Sequence, residues 1–238
     1  MLTELLATSG AAAAAAGGYA YAAMWPESQL FGRTIVAGDN PNEFALTYDD
    51  GPNDPETGLL LALLADYDVR ATFFVIGRFA RQRPDLVRAI AAAGHIVGNH
   101  TMTHPKLLFC SPRQVRDELA GCNAAIEDVL GTPARLMRCP HGMRRPDVLR
   151  TARELGLTPV QWNVTAFDWQ QTTAEAVFAH VDRGIAHNQR RGRGSNILLH
   201  DGGQAGIGQN RQASVEATRL LLKKYSTRAR FVTPQDWA

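Results

Sequence analysis

Five short groups of polar residues interrupt the apolar runs of this chain, and their types limit the chemistry it can do. Asp49-Asp50-Gly51-Pro52-Asn53 sets two carboxylates side by side after the apolar run Phe44–Tyr48. Gly-Pro and Asx residues build turns, which is the plain structural reading of this stretch. Two carboxylates beside an apolar sheet are also costly without a compensating cation. A metal would compensate them, with one carboxylate as ligand and the other left free as a base. His100-Thr101-Met102-Thr103-His104 spaces two imidazoles four residues apart. On a helical turn they share one face and chelate a single cation; taken singly, they read equally as core or solvated histidines. Two histidines and one carboxylate make an open site for Zn²⁺ or a similar divalent ion.

The run Ile197-Leu198-Leu199-His200-Asp201 ends an apolar strand on a histidine. It reads either as a hydrogen-bonded strand end or as an acid catalyst oriented by a carboxylate. Asp168, in Phe167-Asp168-Trp169, is the candidate partner, and Trp169 is either plain packing or a platform for a sugar ring. Arg138 follows another short β-rich run. Arg190, Arg191 and Arg193, mixed with Gly192 and Gly194, read as a solvated loop without function.

Residues so far apart need a fold that gathers them. Strands are expected near Phe44–Tyr48, Ala71–Ile76, His95–Asn99, Arg135–Arg138, Pro159–Val164, Ile197–His200 and Phe231–Thr233. Helical patterns alternate with them. Ser111-Pro112-Arg113-Gln114 is a capping box with proline at the first helical position, and Gly131 marks the stop. Thr172-Thr173-Ala174-Glu175 is a second capping box. Leu86–Ala93 should end at Gly94, and Pro146–Leu155 at Gly156. Such alternation implies a mainly parallel sheet with helices outside it. Seven strands are few for an eight-stranded barrel of about 250 residues, so the expected architecture is α/β, a reduced or distorted barrel. A doubly wound open sheet is the alternative, though no G-x-G-x-x-G or P-loop follows the first strand. In a parallel barrel the strands' carboxyl ends meet at one face. Asp49, Asp50, His100, His104, Arg138, Asp168 and His200 would all meet there.

Composition narrows the classes further. The 238 residues are 45% hydrophobic and 20% charged, which is globular and excludes a disordered or fibrous chain. The formal net charge of +2 supplies no polyanion-binding field, so no nucleic-acid partner is expected. Cys110, Cys122 and Cys139, an odd set without a C-x-x-C pair, argue against a disulfide framework or a cysteine zinc cluster. Residues 1–33 are expected to form an alanine-rich segment apart from a single domain of alternating strands and helices at 34–238. From Leu5 to Trp25 there is no charged side chain, a length that matches the about 20 residues needed to cross a bilayer. Glycine, serine and threonine interrupt it, and no Lys or Arg precedes it. Ala20-Tyr21-Ala22 resembles an A-x-A cleavage site. Either the segment directs the protein to the cell envelope, anchored or cleaved, or it is a helix lying on the domain.

In this order the five groups resemble the motifs of the polysaccharide deacetylases, the NodB-homology family of metal-dependent carbohydrate esterases. Thr47-Tyr48-Asp49-Asp50-Gly51 is similar to T-F-D-D-G, which implies Asp49 as general base and Asp50 as metal ligand. His100 and His104 match the two metal histidines of H-S/T-x-x-H. Arg138-Cys139-Pro140-His141-Gly142 resembles R-x-P-Y/F-G, whose arginine holds the catalytic aspartate and whose aromatic position offers a backbone N–H to the oxyanion. Asp168 and Trp169 match the D-W pair, whose aspartate tunes the catalytic histidine. Leu198-Leu199-His200-Asp201 matches L-x-H-D, which supplies the acid and a leucine, here Leu198, against the acetyl group. The departures are Cys139 for proline, His141 for an aromatic residue, and Thr165 where many members carry aspartate.

The resemblance covers about residues 34–238. It implies a distorted (β/α)7-type barrel, one divalent ion (zinc, or cobalt, nickel or manganese), a carbohydrate substrate of chitin or peptidoglycan type, and release of acetate from N-acetyl groups; a monomer is expected. O-acetyl ester hydrolysis and deacylation of a lipid-linked amino sugar would use the same site. A catalytically silent carbohydrate-binding relative is disfavoured, because Asp49 and His200 serve only chemistry.

Overall fold

The computed structural model describes residues 15–170 and 173–238. Its elements begin with α1 (residues 15–24), β1 (Glu43–Gly51), α2 (Glu56–Asp66), β2 (Thr72–Val75), α3 (Gly77–Gln82), α4 (Pro84–Ala92) and β3 (Ile96–Asn99). They continue with α5 (Pro112–Leu130), β4 (Leu136–Met137), α6 (Pro146–Glu154), β5 (Thr158–Pro159), β6 (Val164–Thr165), α7 (Ala174–Arg190), β7 (Ser195–His200), α8 (Gln212–Tyr225) and β8 (Arg230–Phe231). The strands pair in the order β5-β4-β3-β2-β1-β7-β6, all parallel, and β8 joins only the start of β1.

β1 is the centre of this sheet, buried from Phe44 to its end. A strand covered on both faces is apolar without strict alternation, which Phe44, Ala45, Leu46 and Tyr48 illustrate. Tyr48 stacks on Phe73 of β2 with ring centroids 5.0 Å apart, and Phe44 meets Tyr225 of α8 edge-on at 5.1 Å. On the outer layer, α5 turns Val115, Leu119, Cys122 and Ile126 inward, the stripe of a 3.6-residue period. Its ends are the expected ones. Ser111 and Gln114 form a reciprocal capping box, and Gly131 closes the helix at φ 73°, a left-handed conformation that glycine adopts without steric cost.

Several details differ from the expectation. The single strand expected at Pro159–Val164 is two, β5 and β6, at opposite edges of the sheet. Residues 160–163 cross between those edges, so the sheet curls into a barrel that is closed by a loop. The crossing takes its hydrogen bonds from elsewhere: Gln161 N–H donates to Ile35 O at 2.7 Å, and Asn163 exchanges bonds with Asn196. The second capping box is shifted. Thr173 caps α7 by accepting from Ala176 N–H at 3.3 Å, and Thr172 lies outside the described residues. Arg193 is no free loop residue either, since it pairs with Glu27 at 2.5 Å.

That pair is one anchor for the chain after α1. Another is Arg144, fully buried, whose guanidinium donates to Trp25 O and Ser28 O at 2.8 Å each and to Gly142 O at 3.1 Å. Its own N–H donates to Ala23 O, and Ala22 and Ala23 are buried. The C-terminal end of α1 therefore lies on the domain. No helix among the described residues is long and apolar enough to cross a membrane. All three cysteines are free, and burial pushes the Cys139 thiol up to about 12.

Candidate active site

Adjacent residues on a strand point to opposite faces, so Asp49 and Asp50 could not both face one cleft from a regular β1. The pairing of β1 with β2 slips between Asp49 and Gly51, and Asp50 sits in that bulge at φ 72°. Bulges re-aim side chains beside active sites, and here the bulge brings both carboxylates to the same cleft. Gly51 follows because nothing larger fits: a Cβ there would collide with the carboxylate of Asp201. Asp201 itself does not line the cleft. It accepts the Thr57 hydroxyl at 2.5 Å, and burial pushes its carboxyl up to about 7.

His100 and His104 do not lie on a helical turn. They flank a loop in which Thr101 and His104 have φ 68° and 66°. The side chains of its neighbours hold it. Asn99 Oδ1 accepts from Thr101 N–H at 2.8 Å, Thr101 Oγ1 accepts from His104 N–H at 3.0 Å, and Glu118 takes both the N–H and the hydroxyl of Thr103. The outcome equals what a helix would have given, two rings 5.0 Å apart aimed at one carboxylate.

Asp50 Oδ1 lies 3.0 Å from His104 Nε2 and 3.4 Å from His100 Nε2, yet it has no hydrogen-bond partner of good geometry and is buried. His100 Nδ1 is 2.9 Å from Arg138 O, an acceptor only, so this nitrogen carries the proton and Nε2 presents a lone pair. The three ligand atoms are within 4.8 Å of one another. A buried, unpaired carboxylate oxygen facing two imidazole nitrogens is a donor set that fits a divalent cation.

Asp49 is held differently. Arg138, fully buried, donates to Asp49 Oδ1 and Thr47 Oγ1 at 2.8 Å each and to Gln161 O at 3.2 Å, and its guanidinium lies 4.3 Å above the Phe74 ring. Burial lowers the Arg138 guanidinium and the charge of Asp49 opposes that. Asp49 Oδ2 stays on the cleft side, 3.7 Å from His100 Nε2.

Across the cleft, β7 ends in His200. Asp168 accepts three bonds: from His200 Nδ1 at 2.8 Å, from His200 backbone N–H at 2.7 Å and from the Ser214 hydroxyl at 2.6 Å. Burial would lower the His200 imidazole; the charge and hydrogen bond of Asp168 overcome this and raise it to about 9. Burial likewise raises Asp168, and His200 brings it below its ordinary value.

The cleft has a volume of about 470 Å³, and Leu198, Trp169 and His141 line its walls. Trp169 is 44% exposed, T-shaped against His200 at 5.3 Å and tilted against Phe167 at 5.4 Å. His141 packs edge-on against His104 at 4.7 Å, and its backbone is left-handed at φ 57°. Burial and then the neighbouring His104 lower its imidazole to about 4. The sequence signals missed Gln161, Ser214 and Gln204. The first receives Arg138, the second buttresses Asp168, and the third is 2.8 Å from His104 Nδ1. No motif or periodicity marks them; only the tertiary fold brings them in.

A curled parallel barrel with an Asp-His-His cluster at its strand ends, an Arg-held carboxylate on one side and a carboxylate-held histidine on the other, is the arrangement of a hydrolase built on a barrel of parallel strands and helices. The sequence model of polysaccharide deacetylases matches residues 37–160, and the chain belongs to this family. A chitooligosaccharide deacetylase of Sinorhizobium fredii is 44% identical over 158 residues, 66% of this chain and 71% of the relative. Among solved structures, a peptidoglycan N-acetylglucosamine deacetylase in complex with an N-oxidanyl-benzamide superposes with a TM-score of 0.76 at 31% identity, over 84% of this chain and 90% of that one. A family 4 acetyl xylan esterase from Clostridium thermocellum in complex with a cobalt ion gives a TM-score of 0.71 at 30% identity, over 82% and 89%. The protein is a deacetylase, and its fold is the distorted (β/α)7-type barrel.

Proposed function

We propose that the protein removes N-acetyl groups from N-acetylglucosamine units of a chitin-type oligosaccharide and releases acetate. The observation that carries this reading is the Asp50 oxygen left without a hydrogen bond between two imidazoles, with Asp49 and His200 on either side. We assign Asp50, His100 and His104 as ligands of one divalent ion, zinc in the first instance, with cobalt, nickel or manganese as substitutes. Bound there, the cation supplies Lewis-acid polarisation of the acetamide carbonyl and lowers the pKa of its water.

The chain's own residues do the rest. Asp49 Oδ2 takes a proton from the water that adds to the carbonyl carbon, while Arg138 fixes the other oxygen of that carboxylate. The backbone N–H of His141 stabilises the oxyanion. The carbon–nitrogen bond then breaks, and the amine needs a proton to leave. His200, kept protonated by Asp168, gives that proton from Nε2. Leu198 lies against the acetyl methyl and Trp169 stacks on a sugar ring.

The cleft is complete within one chain, which supports a monomeric enzyme with a domain at 34–238 preceded by the 1–33 segment. Tyr19, Tyr21, Met24 and Trp25 are exposed on and just after α1, which supports membrane contact by that segment. Acetate release from chitin oligomers, peptidoglycan and acetylated xylan, assayed side by side, tests the substrate. The highest rate is expected on chitin oligomers. Release from acetylated xylan alone would replace the amide reading with an ester one.

A further inference from the structure

The two histidines of the Asp-His-His site are held by unlike partners. His100 Nδ1 faces the backbone carbonyl of Arg138, which can only accept. His104 Nδ1 faces the side chain of Gln204, with Oε1 at 2.8 Å. Gln204 lies on a loop, residues 201–211, that contains Gly202, Gly203, Gly206 and Gly208. A glycine-rich loop is entropically costly to order, and this one is fastened at several points. Gly208 N–H donates to Asn53 Oδ1 at 2.6 Å, and Asn53 Nδ2 donates to Gln209 O at 2.8 Å and to Glu56 Oε2 at 2.9 Å. Arg211 N–H donates to Glu56 Oε1, its Nε to Gly202 O, and Arg78 donates to the carbonyl of Gln204 itself. Asn53 lies in the turn after Asp49-Asp50, Glu56 opens α2, and Arg78 is in α3. Segments that follow the aspartates in the chain thus also hold the loop that reaches His104.

We propose that Gln204 is a positioning residue that holds His104 in the Nδ1–H tautomer, with Nε2 turned toward Asp50 and available to the cation. The proposal rests on reading Asp50, His100 and His104 as the metal ligands. A carbonyl oxygen on Nδ1–H keeps the lone pair on Nε2 and orients the ring, and losing such an outer partner typically weakens metal binding by about 10–100-fold. An amide can also turn its NH₂ to the ring, so Gln204 depends on its fastened loop for direction in a way that the Arg138 carbonyl does not.

The test is zinc affinity of the whole protein, measured by competition with a chelating indicator, for the natural chain, Gln204→Met and Gln204→Glu. Methionine keeps the length and removes the strong acceptor; it should bind zinc about 10–100-fold more weakly. Glutamate can only accept and should bind at least as tightly as glutamine. Cobalt-loaded Gln204→Met should also show a shifted visible absorption spectrum, which mere loosening of the loop without effect on His104 would not produce. Equal zinc affinity in the natural chain and Gln204→Met overturns the proposal while leaving the metal site standing. If Gln204→Met does not fold, Gln204→Glu decides by itself: weaker zinc binding than the natural chain overturns the proposal. A natural chain that binds no zinc would instead overturn the metal-site reading.

Discussion

The cleft contains two carboxylate–histidine clusters built from the same residue types, and they differ in what they lack. Asp168 is complete: both of its oxygens accept bonds, from the ring and backbone of His200 and from Ser214. Asp50 is incomplete: its Oδ1 is buried, close to two Nε2 atoms, and without a hydrogen bond. A satisfied pair stores a proton, and the carboxylate raises the pKa of the histidine against the lowering by burial. An unsatisfied set of lone pairs needs a cation. The same side chains thus yield an acid on one wall of the cleft and a metal site on the other, and geometry alone separates the roles.

The largest effect should come from emptying the incomplete cluster. Chelation, or Asp50→Ala, should remove the bound metal and with it nearly all acetate release. Zinc or cobalt return should restore the chelated natural chain and not the variant, with metal content and turnover measured on the same samples. Full activity in metal-free protein would erase the distinction between the clusters.

His200→Asn tests the complete cluster. It removes the proton donor, and general acid loss typically costs about 10²–10⁴-fold, with metal content unchanged. Asp168→Asn should do less at low pH and more at high pH. The reaction needs His200 protonated, so activity falls as pH rises through its pKa, about 9 in the intact pair. Without the charge of Asp168 the imidazole moves down toward its ordinary value of about 6.5, and the alkaline limb of the rate profile should follow it to lower pH. A limb that stays in place would make Asp168 a purely structural partner.

The smallest effect is expected at His141, beside His104 on the cleft wall. Its proposed contribution is a backbone N–H, so His141→Gly, which also suits φ 57°, should keep most of the turnover on a small acetylated substrate. Proline is unsuitable as a probe here, because its ring fixes φ near −65° and would break the turn as well as remove the N–H. An inactive, folded, metal-loaded His141→Gly would assign the ring itself to catalysis.

The residues that enter these tests are nearly all legible in the sequence, because each sits next to a strand end marked by an apolar run. Their geometry is less legible. The bulge at Asp50 is a register slip against β2, a relation between segments some 25 residues apart that no local pattern encodes. The histidine pair follows helical spacing, yet its loop is shaped by Asn99 and Glu118, so the spacing was informative and the conformation inferred from it was not. The run at Pro159–Val164 looks like one strand because it is apolar on both sides of Gln161; its crossing is dictated by partners at Ile35 and Asn196. Ser214 and Gln204 carry no signal at all, since a single serine or glutamine in a polar stretch resembles any other.

The central claim is that two adjacent aspartates have opposite duties, Asp50 holding the metal and Asp49 moving the proton. Asp49→Asn tests it most directly. The amide keeps an oxygen for Arg138, so the guanidinium is not stranded, but it cannot take a proton from water. The account predicts one metal ion per chain, as in the natural protein, with turnover reduced by about 10²–10⁴-fold in the same preparation. Normal turnover, or loss of the metal together with activity, would contradict it.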